Sequence, residues 1–443
     1  MFLAYVIIVI ALTLLLYDYR SGIITSIMIV TNFGEFIYVN PNLEIGDFGG
    51  VGTIYFMDLF WLAVVLVVFL KRNNLVLLNY KFSLVIFFAL FLSALIIPFL
   101  ISSFSVKDTI SVIRPWGNFL FLPYLIVTVT DMKVFNFFEK TVTSMVFIFI
   151  VIQVYEYISQ KRIPLRLFEE YSMFYGEDPF AVEFGGIKTG YIWSRIGYLL
   201  PFNLFFGCYY YFSEKRNYGL LLLGIYLLSI MIALSRIWII GFAFFLIVVS
   251  FSFMIKKTDY TYVRTKLLTL ISFFILTGIV LLFTSSTFNQ IFDIFLLRIN
   301  SINDLADKTD SSFLGREYTL LQMISVWAEY PLLGAGFSSL SRNLVTNDLG
   351  FPNIITIYGF AGIAMILVFM KQYFDNIKLF IKSNYVLFVT LFSVMLMITF
   401  MSIFSIDMFY FNSTGAIMFA LGNILYNIAH QEPEVNTVYD DTV

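Results

Sequence analysis

Residues Gly219–Phe253, GLLLLGIYLLSIMIALSRIWIIGFAFFLIVVSFSF, carry one charged side chain, Arg236. A single helix of that length would run to about 50 Å, well beyond the roughly 30 Å hydrocarbon core of a bilayer. The stretch therefore reads as two apolar spans turning at Ser235–Arg236. The guanidinium is then at or just below a membrane face, where a cation is costly and ordinarily has an assigned partner.

The same pattern recurs along the chain. Of its 443 residues, 60% are hydrophobic, 19% aromatic and only 13% charged, and the mean hydropathy is +0.88. Soluble domains do not reach that composition. Backbone groups in lipid must pair within their own segment, so the spans are helices. They are expected at roughly 2–17, 22–38, 54–70, 82–104, 117–130, 141–158, 196–213, 218–234, 237–255, 267–285, 353–370, 385–405 and 408–429. The expected fold is an all-α polytopic membrane protein of 12–13 transmembrane helices, with a long external loop at about 286–352 that contains an amphipathic helix. Residues 1–430 read as one transmembrane domain, including loops 160–195 and 286–352, and residues 431–443 as a polar cytoplasmic tail. The opening MFLAYVIIVIALTLLLYDYR has neither a basic leader nor a small-residue cleavage site and reads as a first span.

A net charge of −2 and a pI near 5.6 leave no basic stripe for nucleic acid. Cys208 has no second cysteine to pair with, and His430, the one histidine, lies near the tail, so multi-histidine metal sites are excluded. Composition leaves a carboxylate-bound metal open, and no cofactor is expected.

Lysine and arginine divide differently across these spans. Lys71–Arg72, Lys81, Lys215–Arg216, Lys256–Lys257, Arg264, Lys266, Lys371, Lys378 and Lys382 fall on one side, taken as the cytoplasm. Of 15 lysines 11 lie there, whereas 8 of 12 arginines lie opposite: Arg114, Arg162, Arg166, Arg195, Arg236, Arg298, Arg316 and Arg342. Lysine is the ordinary topology signal, whereas arginine suits bidentate phosphate recognition. Any one of these arginines could instead snorkel to the interface.

In Ser311–Gly336, SSFLGREYTLLQMISVWAEYPLLGAG, the residues Leu320, Met323, Ile324 and Trp327 recur at helical spacing, with Glu317, Gln322 and Glu329 off that stripe. The spacing predicts a surface-lying helix begun at Ser311–Ser312 and Gly315 and ended by Pro331, with a tight turn at Gly334 and Gly336. Arg316 is expected in the first turn, where the helix dipole disfavours a cation unless an anion is near. That anion is a substrate phosphate, or Asp310 or Glu317 in an ion pair.

Several features together resemble the O-antigen polymerase and ligase superfamily, multi-span bacterial glycosyltransferases that act on undecaprenyl-diphosphate-linked sugars. They are Ser194–Arg195–Ile196–Gly197 with Pro201 and Asn203, the Ser235–Arg236 pair, Gly315–Arg316, the turn Glu329–Gly336, and Asn353 with Gly359 and Gly362. The resemblance covers roughly residues 190–370. In the ligase branch a histidine commonly precedes the asparagine at the position of Asn353; here Pro352 stands there, which favours a polymerase.

The resemblance implies a metal-independent transferase in a bacterial inner membrane, with its active site on the external side. Arg195, Arg236 and Arg316 would converge on the departing diphosphate as the catalytic residues. Asn353, Arg114, Asp348, Asp58 and Asp407 would bind substrate, the three carboxylates being candidate bases that also read as turn or interface residues. The partners would be an undecaprenyl-diphosphate-linked oligosaccharide, membrane lipid and, where chain length is set by another protein, a chain-length regulator. A ligase, or a flippase for the same lipid, are the alternatives.

Overall fold

The computed structural model describes residues 2–31, 44–47, 53–71, 80–159, 182–184, 187–189, 195–213, 215–233, 236–255, Thr265, Leu268, Thr269, Ser272, 311–346, 349–404, 407–410 and 412–431. The helices are α1 (Phe2–Tyr17), α2 (Tyr19–Val30), α3 (Phe56–Leu70), α4 (Lys81–Leu100), α5 (Val106–Ile113), α6 (Phe121–Thr128), α7 (Met132–Ser159), α8 (Leu200–Phe212), α9 (Arg216–Ala233) and α10 (Arg236–Ile255). After them come α11 (Ser311–Glu329), α12 (Ser339–Leu344), α13 (Gly350–Ile377), α14 (Phe380–Ser383), α15 (Tyr385–Phe404) and α16 (Thr414–Gln431). Two short antiparallel pairs, β1 (Glu44–Asp47) with β2 (Thr53–Tyr55) and β3 (Val182–Phe184) with β4 (Ile187–Thr189), lie in the connections.

Among the described residues, 6 helical segments are long and apolar enough to cross a bilayer, and shorter apolar helices include Tyr19–Val30, Phe56–Leu70 and Arg216–Ile232. The chain is a multi-pass α-helical membrane protein. Many of its helices overlap the expected spans, and α9 ends at Ala233 and α10 begins at Arg236. Apart from Leu268, Thr269 and Ser272, the expected span at 267–285 lies outside the described residues, as do 286–310 and most of 160–195 and of the tail.

Several spans differ from the expectation: that at 22–38 ends at Val30, that at 353–370 runs on to Ile377 and that at 408–429 begins at Thr414. The span at 117–130 begins earlier and is broken: α5 passes into a 3-10 stretch, Arg114–Leu120, before α6. Pro115 lacks an N–H for α-helical pairing, and Gly117 lies so close to Trp61 of α3 that a Cβ there would sit 2.4 Å from the indole ring. The polar start of α7 is also helical. Glu139 is only 4% exposed, and its carboxylate accepts the Tyr210 hydroxyl at 2.5 Å, which removes the cost of burying it bare.

The feature that organises one end of the bundle is a break in α13. Gly359 has φ 62° and ψ −159°, a backbone that interrupts the ladder in mid-helix. The freed groups pair with the segment Pro331–Gly336. Phe360 N–H donates to Pro331 O at 2.9 Å and Ala361 N–H to Leu332 O at 3.1 Å. In return, Ala335 N–H donates to Thr356 O at 2.9 Å and Gly336 N–H to Ile357 O at 3.0 Å. A further bond fastens the segment to α4: Phe337 N–H donates to Ala94 O at 2.9 Å. That carbonyl is free because Pro98, four residues on, has no N–H to offer it.

The approach is close enough to require glycine. Gly334 and Gly336 have φ of 66° and 64°. A Cβ on Gly334 would meet Ile357 backbone at 2.5 Å, and one on Gly359 would meet Leu332 backbone at 2.4 Å.

α11 leads into this strap and covers a small core of its own, in which Met323 and Val326 pack with Ala335, Leu344 and Leu349. Trp327 Nε1 donates to Thr356 Oγ1 at 3.1 Å and ties the helix to α13. The buried stripe is thus Met323 and Val326, with Leu320 and Trp327 half-buried, whereas Ile324 is 44% exposed and faces outward. The helix also starts at Ser311, which puts Arg316 in its second turn and weakens the dipole argument for an anion there.

The strap predicts unequal glycine tolerance. Gly334→Ala and Gly359→Ala each combine a positive φ with backbone overlap and should cost about 2–6 kcal/mol. Gly224→Ala and Gly315→Ala, where nothing lies within 4 Å of the new Cβ, should be neutral or gain up to about 1 kcal/mol. Thermal unfolding of the detergent-solubilised variants checks this; equal melting temperatures across all four would disprove the strap.

Candidate functional site

The site grows from three short elements beside the strap. The first is the start of α3. Asp58, in its first turn, accepts the Tyr55 N–H at 2.9 Å, which satisfies one of the donors that a helix N-terminus leaves open. The same carboxylate grips Arg114 in a fork, Nε to Oδ1 at 2.8 Å and Nη2 to Oδ2 at 3.0 Å. Arg114 Nη2 also donates to Thr53 O at 2.9 Å, and the guanidinium lies over the Tyr55 ring at 4.4 Å. Arg114 is thereby held rigidly at the junction of α5 and the 3-10 stretch, with Nη1 uncommitted among the described residues.

The second element is α12. Ser338 caps it by accepting the Ser341 N–H at 3.2 Å, and Ser341 Oγ donates to Gly336 O of the strap at 2.7 Å. Ser339 Oγ donates to Asp108 of α5 at 2.7 Å. Arg342 projects from the last turn of this fastened helix and is exposed. Among the described residues it makes no salt bridge.

The third is the turn between α15 and α16. Asp407 is fully buried. Its Oδ1 accepts the N–H groups of Phe409 and Tyr410 at 3.0 and 2.7 Å, and its Oδ2 accepts Asn353 Nδ2 at 2.8 Å. Asn412 donates its side-chain amide to the Asp407 carbonyl. Asn353 also brackets Thr346, accepting its N–H at 3.0 Å and donating to its carbonyl at 2.6 Å. The turn is set so that Tyr410 reaches under α5, where its hydroxyl donates to Val112 O at 2.5 Å. Burial pushes the Tyr410 phenol well above its usual range; Asp407 adds to the shift and Arg342 opposes it. At neutral pH the phenol therefore stays a donor.

These elements border an open cavity of about 180 Å³ lined by Ser111, Val112, Arg114, Arg342, Val345 and Tyr410. Two guanidinium groups share its lining, and two carboxylates stand close by, Asp58 paired with Arg114 and Asp407 bonded to the backbone of Tyr410. Such a concave surface suits an anion with several oxygens, because planar guanidinium groups bind phosphate or carboxylate oxygens in pairs.

The structure thus brings together Asp58 with Arg114, and Asn353 with Asp407, from positions the sequence reading held separate. Both carboxylates hold neighbouring groups in place. Arg316 is half-buried on the inner side of α11, in line with Leu320 and Met323. Arg195 opens a 3-10 helix and Arg236 opens α10; their side chains, and the whole of Asp348, lie outside the described residues, so the expected convergence of Arg195, Arg236 and Arg316 does too. In the sequence Arg342 stands out only as one arginine on the lysine-poor side. The signal that could have singled it out is its place directly after the Gly334–Gly336 turn. No family model matches this chain, and no curated protein matches it.

If Asp407 holds the turn, Asp407→Ala leaves two buried N–H groups without their acceptor and should cost about 2–5 kcal/mol. Asp407→Asn keeps an acceptor for the turn but sets donor against donor at Asn353, and should fall between alanine and the parent. Chemical or thermal denaturation in detergent measures both; an Asp407→Ala protein as stable as the parent would contradict this role.

Proposed function

We propose that this protein is a polysaccharide polymerase of a bacterial cytoplasmic membrane, transferring a lipid-diphosphate-linked glycan onto a lipid-linked repeat unit at the face opposite the lysine-rich loops. The observation that carries the reading is the cavity walled by Arg114 and Arg342. The chemistry needs little else. The acceptor hydroxyl attacks the anomeric carbon of the donor sugar, the bond from that carbon to the diphosphate oxygen breaks, and the hydroxyl proton passes to a base or to water. Negative charge grows on the departing lipid diphosphate, and guanidinium groups already fixed in place stabilise it without reorganising.

Arg114 is fixed by Asp58 and Thr53, and Arg342 by the anchoring of α12 on the strap. In this reading Arg195, Arg236 and Arg316 serve the same leaving group from the neighbouring spans. Support for the glycan as cargo comes from the resemblance of the Arg195, Arg236, Arg316 and Asn353 segments to the polymerase and ligase superfamily.

Arg342→Ala should lower turnover by about 10²–10³, the usual effect of removing one such donor. Arg342→Lys, which keeps the charge but not the fork, should recover part of it. In cells making the polymer, a glycan gel should show single repeat units in place of long chains, with membrane levels of the protein unchanged. Normal chain lengths in Arg114→Ala and Arg342→Ala would refute the proposal, and full-length polymer stranded on the carrier lipid would assign the protein as a ligase instead.

A further inference from the structure

The outward side of α11 is divided in a way that a helix lying in water would not need. Leu321, Ile324 and Ala328 follow one another at i, i+3 and i+7 and are all exposed, Leu321 by 59% and Ile324 by 44%. Gln322, Ser325 and Glu329, equally exposed, follow at the same spacing along the adjoining strip. With the buried strip of Met323 and Val326, the helix presents three surfaces, one to the protein core, one polar and one apolar.

The apolar strip does not end at the helix. It runs into Leu332, which is 73% exposed, and Leu333 of the strap. Their segment is bonded at backbone level to Phe360 and Ala361 of α13. On α13 the exposed residues Phe360, Leu367 and Phe374 recur every seven positions along a helix long enough to cross the bilayer. On the other side of the strap, α4 exposes Ile96, Phe99 and Leu100. The outer strip of α11 is therefore continuous with surface that faces lipid.

We infer that α11 is an interfacial helix embedded along its Leu321–Ile324–Ala328 strip in the lipid of the protein's own bilayer, with its Gln322–Ser325–Glu329 strip in water. The occupant of this surface is lipid acyl chain at the depth of the headgroup boundary, where amphipathic helices bury their apolar face by about 5–10 Å. No lysine or arginine lies on either outer strip, so the embedding does not depend on anionic headgroups. Towards its start, Glu317 stands one turn before Leu321 on the apolar side. The helix is thus inclined, deepest at the strap and emerging at its first turns.

The full-length protein, with the buried Cys208 replaced by alanine, would carry a single cysteine at Leu321, Ile324, Gln322 or Ser325, labelled with an environment-sensitive fluorophore. In phosphatidylcholine vesicles, labels at Leu321 and Ile324 should be quenched by lipids brominated near the headgroup and protected from aqueous iodide, with iodide slopes about threefold or more below those at Gln322 and Ser325. Adding phosphatidylglycerol should change nothing. Iodide quenching of all four labels alike would overturn the inference. Protection of Leu321 and Ile324 from both quenchers would overturn it equally, since the strip would then be covered by protein.

Discussion

The structure depends on one exchange of backbone hydrogen bonds. In lipid, an interrupted helix leaves N–H and C=O groups that no water can satisfy, at a cost of several kcal/mol each. At the Gly359 break of α13, the segment Pro331–Gly336 supplies two acceptors and two donors, and Phe337 takes the one carbonyl of α4 that Pro98 leaves free. An irregular loop and an irregular helix are each untenable in this setting and together are satisfied. The position of α11, the seating of α12 and the direction of Arg342 all follow from where that strap is fastened.

The cavity inherits its rigidity from the same arrangement. Arg342 is mounted on a six-residue helix that is anchored on the strap through Ser341 and on α5 through Ser339. Arg114 faces it from a helix junction locked by Asp58. Two like charges on one cavity repel, and the surrounding structure, not their mutual interaction, keeps them there.

The sequence made the membrane architecture legible because hydrophobic runs of span length need no tertiary context to be read. The boundaries of α3, α4, α8, α9, α10 and α15 fall close to where apolar runs and charged punctuation set them. What stayed hidden depends on contacts between distant segments. Gly359 sits in a run that reads as continuous helix, and only the strap explains its backbone. Ile324 belongs to the periodic stripe of α11, but a helix bounded by core, lipid and water has two apolar faces, and periodicity alone cannot say which is inside. Asp407 and Asn353 were visible as candidates one at a time, whereas their bond, across 54 positions, was not. Arg342 reads as any arginine of a mixed-charge loop, and only the fold places it on one cavity with α5 and Tyr410.

Proline within a helix is usually counted as a defect, and at position 98 that valuation reverses. An alanine there would make α4 a better helix by returning a donor to Ala94 O. The same donor would compete with Phe337 for its backbone attachment on α4. Improving the part would loosen the whole: a more regular α4 would hold the loop, and with it the arginine cavity, less firmly.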